Sequence, residues 1–379
     1  MNTSSTHTVP GPIVLFGSGE TSPSGRKVFD RLLSKLPPSP RLALLETPAG
    51  FELNSARVIG RVAEFFQQRL QNYHPLVETV PARQRGTPFS PDAEAILEPL
   101  LQADLIFMGP GSPTYAVRQL RDSLAWHYII ARHCLGATLA LASAAAIAIS
   151  CCALPVYEIF KVGDDLHWKE GLNLFGLYGL QLVFVPHWNN AEGGAELDTS
   201  RCFMGQARFA RLMQMLPAEL TVVGLDESTA LLIDPQNGQC HVSGLGGVTL
   251  LHTGHNHPGY APNLAGSGLD EIAEQRNGHV HYYHNGERFP LSEIGPFRPY
   301  HPQANLPSAA WQRALQASQA EAPSAPAGPP PQVVALVQER QAARQRKDWP
   351  ASDALRQQIA ALGWDVKDTP NGPEITQHQ

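Results

Sequence analysis

The sequence predicts an α/β protein: a parallel sheet with helices on both faces, a β-rich second half and a small helical tail. Three observations lead there. Short apolar runs alternate with amphipathic stretches through the first half, the pattern of a sheet buried on both faces. Apolar residues make up 43% of 379, enough for a sizeable core. A break at Glu321–Gln332, EAPSAPAGPPPQ, carries five prolines in twelve residues and no large apolar side chain, so it reads as an extended linker.

Each element follows in order. PIVLF (Pro12–Phe16) is a buried strand closed by the turn GSGE. Lys27–Leu36 has helical periodicity. RLALLE (Arg41–Glu46) is the next strand, and Asn54–Leu70 the next helix, with Asn54 or Ser55 able to cap it. PLVETV is a short third strand, Ala93–Gln102 a helix, and DLIFM a strand running into GPGSP. The second half turns more β-rich: LVFV, TVVGLD, TALLID and GVTLLH are strand candidates, and Asn285-Gly286 between HVHYYH and ERFPL signals a hairpin. The main domain is expected to span 1–305, the linker 306–332, and a two-helix module 333–379.

Composition excludes several classes. A net charge of −6 argues against bulk coating of nucleic acid or anionic membrane. The five cysteines, Cys134, Cys151, Cys152, Cys202 and Cys240, include no C-x-x-C, so neither a disulfide framework nor a zinc ribbon is expected, and a reducing cytoplasm fits. MNTSSTHTVPG has no apolar core, so no signal peptide is expected. Cys134–Tyr157 lacks Asp, Glu, Lys and Arg, but its Ala, Ser and Gly content reads as a buried strand and helix rather than a membrane span.

Candidate chemistry lies after strands, where α/β sheets collect function. Ser143 follows ATLALA and precedes AAAIAI, the junction at which a sharp turn exposes a nucleophile at a helix N-terminus. Such a turn usually has glycine two residues either side; here those places hold Leu141 and Ala145, and spacing alone favours an ordinary buried serine. His187, in VPHWNN, follows LVFV and suits a general base; it is one of 15 histidines, and a plain loop histidine is the alternative. Asp226 and Glu227 follow TVVGL and suit an orienting acid or a solvated turn. Gly109-Pro110-Gly111 offers backbone N–H groups for an oxyanion, or is simply a tight turn. Arg201, Arg208 and Arg211 suit either an acidic substrate group or a solvated helix face. His252, His255 and His257, with His279, His281 and His284 nearby, lack a Cys or carboxylate at matching spacing; no metal and no cofactor are expected. GSGE lacks the third glycine of a dinucleotide fingerprint.

Together, FGSGE, GPGSPTY, the Ser143 junction, PHWNN and GLDESTALL resemble the serine peptidases related to dipeptidase E and cyanophycinase, from about Pro12 to Leu251. The resemblance implies a three-layer, parallel-sheet class I glutamine amidotransferase-like domain with a β-rich extension. It implies Ser143 as nucleophile, His187 as base and Glu227 as orienting acid, and an oxyanion hole from Gly109 or Gly111 with the Ala144 amide. It places Asn189, Asn190, Arg201 and Arg208 near a small peptide or amide substrate. The family usually carries Gly-x-Ser-Ala-Gly where this chain has Leu-Ala-Ser-Ala-Ala, so a pseudo-enzyme that retains only a ligand pocket is the rival expectation. Glutamine amidotransfer needs a cysteine at the elbow, which Cys134 does not supply.

Residues 333–375 resemble a second family, the C-terminal piece of cysteinyl-tRNA synthetases, through R-x-x-A-R, KDW, D-A-L-R and DTP. The chain has no synthetase catalytic motif. The resemblance implies a tRNA or synthetase-related partner, with Arg340, Arg344 and Lys347 as phosphate contacts, although the module holds six basic and six acidic residues. No membrane partner is expected.

Overall fold

The apolar runs of the first half fold as strands because both their faces are covered. The structure, a computed structural model, describes residues 9–254, 278–298, 306–319, 330–369 and 372–377, together with Leu269 and Ala273. The chain divides into two units, 1–320 and 321–379.

In the first unit, β1 (Ile13–Phe16), α1 (Pro23–Leu33), β2 (Arg41–Leu45), α2 (Ser55–Arg69), β3 (Leu76–Val80), α3 (Glu98–Gln102), β4 (Leu105–Met108), α4 (Pro113–Leu120), α5 (Leu124–Cys134), β5 (Thr138–Ala142) and α6 (Ala144–Ala148) alternate along the chain. After the short β6 (Cys152–Ala153) and β7 (Lys169–Glu170) come β8 (Leu182–Val185), α7 (Gly205–Met215), β9 (Thr221–Leu225), β10 (Thr229–Asp234), β11 (Gln239–Gly244), β12 (Gly247–His252), β13 (His279–His284), β14 (Arg288–Pro290) and α8 (Ser308–Gln319).

Two sheets result. The larger runs β14-β11-β10-β1-β5-β4-β2-β3; β1, β5, β4, β2 and β3 are parallel, and β10, β11 and β14 extend one edge antiparallel. The smaller is β13-β12-β9-β8, in which α7 crosses between the parallel pair β8 and β9. Period-two alternation sends Val14 and Phe16 into one core with Phe29 of α1 and Phe66 of α2, whose rings meet edge to face with centroids 4.7 Å apart. Ile13 and Leu15 face the opposite core with Ile129 of α5. Serine caps recur: Ser22, Ser112 and Ser123 accept from Gly25, Tyr115 and Trp126 N–H, each with an Oγ at the start of α1, α4 or α5. Asn54 occupies the N-cap of α2 without a side-chain bond, and Ser55 donates instead to Glu46.

Two expectations are corrected here. The boundary at 305 falls too early, because α8 packs on the main core: Leu306, Ala310, Trp311 and Ala314 are buried beside α5 and α3. Asn285-Gly286 makes no hairpin. Its arms pair elsewhere, β13 with β12 and β14 with β11, so the turn carries the chain from one sheet to the other. The tail carries the two helices expected of it and more. Its α9 (Pro331–Gln345) and α10 (Trp349–Ala361) are followed by β15 (Trp364–Thr369) and β16 (Gly372–Gln377), an antiparallel pair, so the module is not purely helical. Val333, Val337, Ile359, Trp364 and Val366 form its own core. The strands are needed because two short helices alone expose too much of their apolar faces.

No described helix is long and apolar enough to cross a membrane. All five cysteines are free thiols.

Candidate active site

Three strand ends meet at one place. β5 delivers Ser143, β8 is followed by His187, and Glu227 sits in the turn where the chain passes from β9 in one sheet to β10 in the other. Gly17 at the end of β1 abuts that turn so closely that a Cβ there would lie 2.1 Å from the Asp226 carbonyl oxygen.

Ser143 has φ 51° and ψ −111°, a conformation that costs a serine on the order of 1–3 kcal/mol. Its N–H is fixed to the Phe16 carbonyl at 3.1 Å. Leu141 and Ala145 do not strain this turn. Leu141 lies in register between Leu15 and Met108, with its side chain in the core beside Ala145. Ala145 is helical and absent from the positive-φ residues. Glycine is dispensable at both places because Ser143 alone takes the unusual conformation.

Ser143 Oγ stands 3.0 Å from His187 Nε2, and His187 Nδ1 stands 3.0 Å from Glu227 Oε1. A carboxylate only accepts, so Nδ1 carries a proton, and in the neutral imidazole Nε2 accepts from the serine hydroxyl. Asn190 Nδ2 donates to the same Glu227 oxygen at 2.8 Å, and Asn189 Oδ1 accepts from the Glu227 N–H at 2.8 Å. Burial raises the Glu227 carboxyl, but the hydrogen bonds from Asn190 and His187 outweigh it and hold it below the usual carboxylate range. Asp226 points away, accepting from the Gly247 N–H and the Tyr282 hydroxyl.

The residues expected to touch substrate are used otherwise. Asn189 and Asn190 hold Glu227 and do not line the cavity beside Ser143. Arg201 is buried, donates to the Trp188 carbonyl at 2.9 Å and lies over the Trp188 ring. Arg208 gives its guanidinium to the Met204 and Phe203 carbonyls, both at 2.7 Å. Neither arginine lines the cavity beside Ser143, and Arg201 Nε is buried without a hydrogen-bond partner. Arg201, Cys202 and Phe203 instead form a left-handed turn, with φ of 56°, 57° and 67°. Bonds from Arg201 N–H to Trp188 and from Cys202 N–H to His187 tie that turn to the histidine loop.

A cavity of about 420 Å³ opens beside Ser143 and His187. Ile147, Val156, Phe160 and Phe203 give it apolar walls, while Glu20, Glu192 and Lys161 bring charge. Gly111 and Ala144 lie on its wall, and their N–H groups have no protein acceptor among the described residues. Gly109 is not on that wall; it packs against the Phe107 ring. At Gly111, φ is 147° and a Cβ would sit 2.0 Å from the Pro48 carbonyl oxygen, so only glycine brings this N–H to the cavity. Glu20 carries no signal in the sequence beyond its place in GSGE. Burial raises its carboxyl above the usual range, against its own backbone N–H and the nearby His187, which lower it.

Among the described residues no three His, Cys, Asp or Glu side chains converge as a metal would need, and His255 and His257 lie outside the described residues. Cys134 is buried at the end of α5, its thiol pushed up to about 12.

Superposition on solved structures finds a peptidase from an acI-B1 Actinobacterium, with a TM-score of 0.54 at 19% identity over 75% of this chain and 98% of that one. The main unit shares the fold of that peptidase. Residues 327–374 match the family model described as the cysteinyl-tRNA ligase anticodon binding domain. Curated relatives match over the same stretch: cysteine–tRNA ligase of Methanosarcina mazei is 54% identical over 46 residues, and that of Chlamydia abortus 45% over 49. The matches cover 12% and 13% of this chain, and the chain spans 10% of the length of each of these relatives.

In the tail, two of the three expected phosphate contacts are corrected. Arg340 is buried and makes paired bonds of 2.8 Å to both oxygens of Asp368. Arg344 reaches the same carboxylate at 3.3 Å and stacks over Trp349. The cause is the hairpin, which brings Asp368 of β15 against α9. Lys347 is exposed.

Proposed function

We propose that the main unit is a serine-type hydrolase acting on a small peptide or amide. One observation carries the reading: the unbroken chain Ser143–His187–Glu227, with both links at 3.0 Å, built from three separate strand ends. In this mechanism His187 Nε2 takes the hydroxyl proton as Ser143 Oγ attacks the carbonyl carbon. Glu227 holds the imidazole and balances the imidazolium that forms. The N–H groups of Gly111 and Ala144 receive the developing oxyanion. The imidazolium returns its proton to the leaving nitrogen, and water, activated by the same imidazole, releases the acyl group.

The cavity chemistry disfavours an acidic side chain as the principal specificity element, because neither Arg201 nor Arg208 lines it and Glu20 and Glu192 outnumber its one cation, Lys161. Substrates with an apolar body and an amine near the scissile carbonyl suit it better. For the tail we propose an RNA-directed role, on the strength of its match to an anticodon-binding family.

Labelling with a fluorophosphonate probe tests the hydrolase reading. Wild type is expected to label and Ser143→Ala to remain unlabelled with an unchanged circular dichroism spectrum. An inert wild type, or equal labelling of both, overturns the reading and leaves a ligand pocket without turnover.

A further inference from the structure

At the opposite end of the large sheet from Ser143, a second cavity of about 510 Å³ lies between the end of α1 and strands β10, β11 and β14. Pro12, Gly136 and Thr138 on its wall mark the N-terminal ends of β1 and β5. Three cations surround it: Arg31 in the last turn of α1, Lys35 just beyond, and Arg288 on β14. None of them pairs with a carboxylate among the described residues. In a chain with 28 basic and 34 acidic residues, three unpaired cations around one cavity run against the overall charge.

Register explains the convergence. His241 of β11 stands opposite Leu232 of β10 and Arg288 of β14, so these side chains share the face that α1 partly covers. Arg31 Nη1 lies 3.0 Å from His241 Nδ1. A guanidinium only donates, so the imidazole accepts and is neutral. Burial, then the charges of Arg31 and Arg288, push that imidazole down to about 4. His241 therefore anchors Arg31 without adding charge. The one carboxylate on the wall, Asp234, is engaged by the Gln236 and Asn237 N–H groups and by Asn237 Nδ2. Leu32, Leu36, Leu232 and Ile233 supply apolar surface beside the charges.

We propose that this cleft binds a phosphate monoester of mononucleotide size, its phosphate held by Arg31, Lys35 and Arg288 and its organic part laid on Leu32, Leu36 and Leu232. Guanidinium groups match phosphate oxygens in pairs, and a cavity of this volume holds more than a bare anion. The site is independent of the Ser143 chemistry, and its ligand does not pass through that reaction.

Calorimetric titration of the full chain with adenosine monophosphate, and separately with adenosine, tests the proposal. The monophosphate is expected to bind at least about tenfold more tightly than the nucleoside. The double variant Lys35→Gln with Arg288→Gln removes two surface charges and no core atom; it is expected to weaken monophosphate binding by about tenfold or more and leave probe labelling at Ser143 unchanged. Equal affinity for the two compounds, no binding of either up to about 5 mM, or undiminished binding by the double variant overturns the site. The last outcome also separates this cleft from phosphate binding by the tail, which the substitutions do not touch.

Discussion

Ser143 keeps its strained backbone because its neighbours are held by the core rather than by glycine. Leu141 is fully buried, so Leu141→Gly with Ala145→Gly deletes core packing and adds chain entropy. The double variant is expected to lose about 3–6 kcal/mol in urea denaturation and to label no faster per folded molecule than wild type. Faster labelling would mean that these side chains do crowd the nucleophile. Glu227 is half-exposed and holds His187 through one oxygen, so Glu227→Gln is expected to slow labelling by about 10²–10⁴-fold with little change in stability, and Asn190→Ala by less. A rate unchanged in Glu227→Gln would remove the acid from the mechanism. Because its hydrogen bonds hold Glu227 below the usual carboxylate range, it is ionised at and above mildly acidic pH, and it sets no limb of the rate profile there. Ser143, His187 and Glu227 stood out as candidates because each follows an apolar strand, but spacing alone left Ser143 an ordinary buried serine and Glu227 level with Asp226, and only the family resemblance singled the three out. The roles of Arg201 and Arg208 were not legible: a guanidinium bonded to backbone carbonyls looks, in sequence, like one waiting for a substrate. Nor does any residue type announce the left-handed turn at 201–203, which is imposed by tertiary bonds to Trp188 and His187.

Strands buried on both faces announce themselves as apolar runs, and those of the large parallel sheet were legible for that reason. Elements whose partner lies far off in sequence were not. The helix α8 follows a stretch that reads as loop, yet Trp311 completes the core over α5 and α3. A chain ending at residue 305 is therefore expected to be less stable than one ending at 320 by on the order of 4–6 kcal/mol in urea. Equal midpoints would make α8 an ornament. The hairpin β15–β16 escaped because β15 alternates charged and apolar residues over only a few positions and the sequence breaks at Pro370-Asn371. Its Asp368 neutralises the buried Arg340. Removing Asp368 leaves a buried, unpaired guanidinium, so Asp368→Ala is expected to cost the tail about 2–4 kcal/mol, enough to unfold so small a module. Chiefly the hydrogen bonds from Arg340 hold the Asp368 carboxyl below the usual range. A depressed carboxylate contributes stability that is complete above its unfolded value and lost as pH falls through the folded one. The wild-type tail is thus expected to loosen at acid pH below the ordinary carboxylate range, and amide exchange across β15 should report it. Unchanged protection in Asp368→Ala would show that the pair does not hold the hairpin.

Two units joined through a proline-rich stretch put the Ser143 cavity and a module similar to an anticodon-binding family on one chain, and the question at this scale is whether the tail recruits RNA. Its net charge is zero, and two of its six basic side chains, Arg340 and Arg344, are committed to Asp368. Arg346, Lys347, Arg356 and Lys367 are exposed and form no ion pair among the described residues. If about three or four of these meet phosphates, log K should fall with log salt at a slope of roughly −2 to −4, much shallower than for a protein that coats nucleic acid. Binding of bulk tRNA by the full chain is therefore expected to be weak, visible in a gel shift at low salt and gone by about 200 mM. A chain ending at 320 should lose it, and Lys347→Gln with Arg356→Gln should flatten the slope by about one to two. Arg340→Gln is the informative control: if Arg340 serves the hairpin alone, it abolishes binding only where it also unfolds the tail, and spectra of the same sample separate the two. Equal shifts by the full chain and by the chain ending at 320 would move RNA binding off the tail, and the module would then be a docking element for protein, a role to which its neutral charge is equally suited.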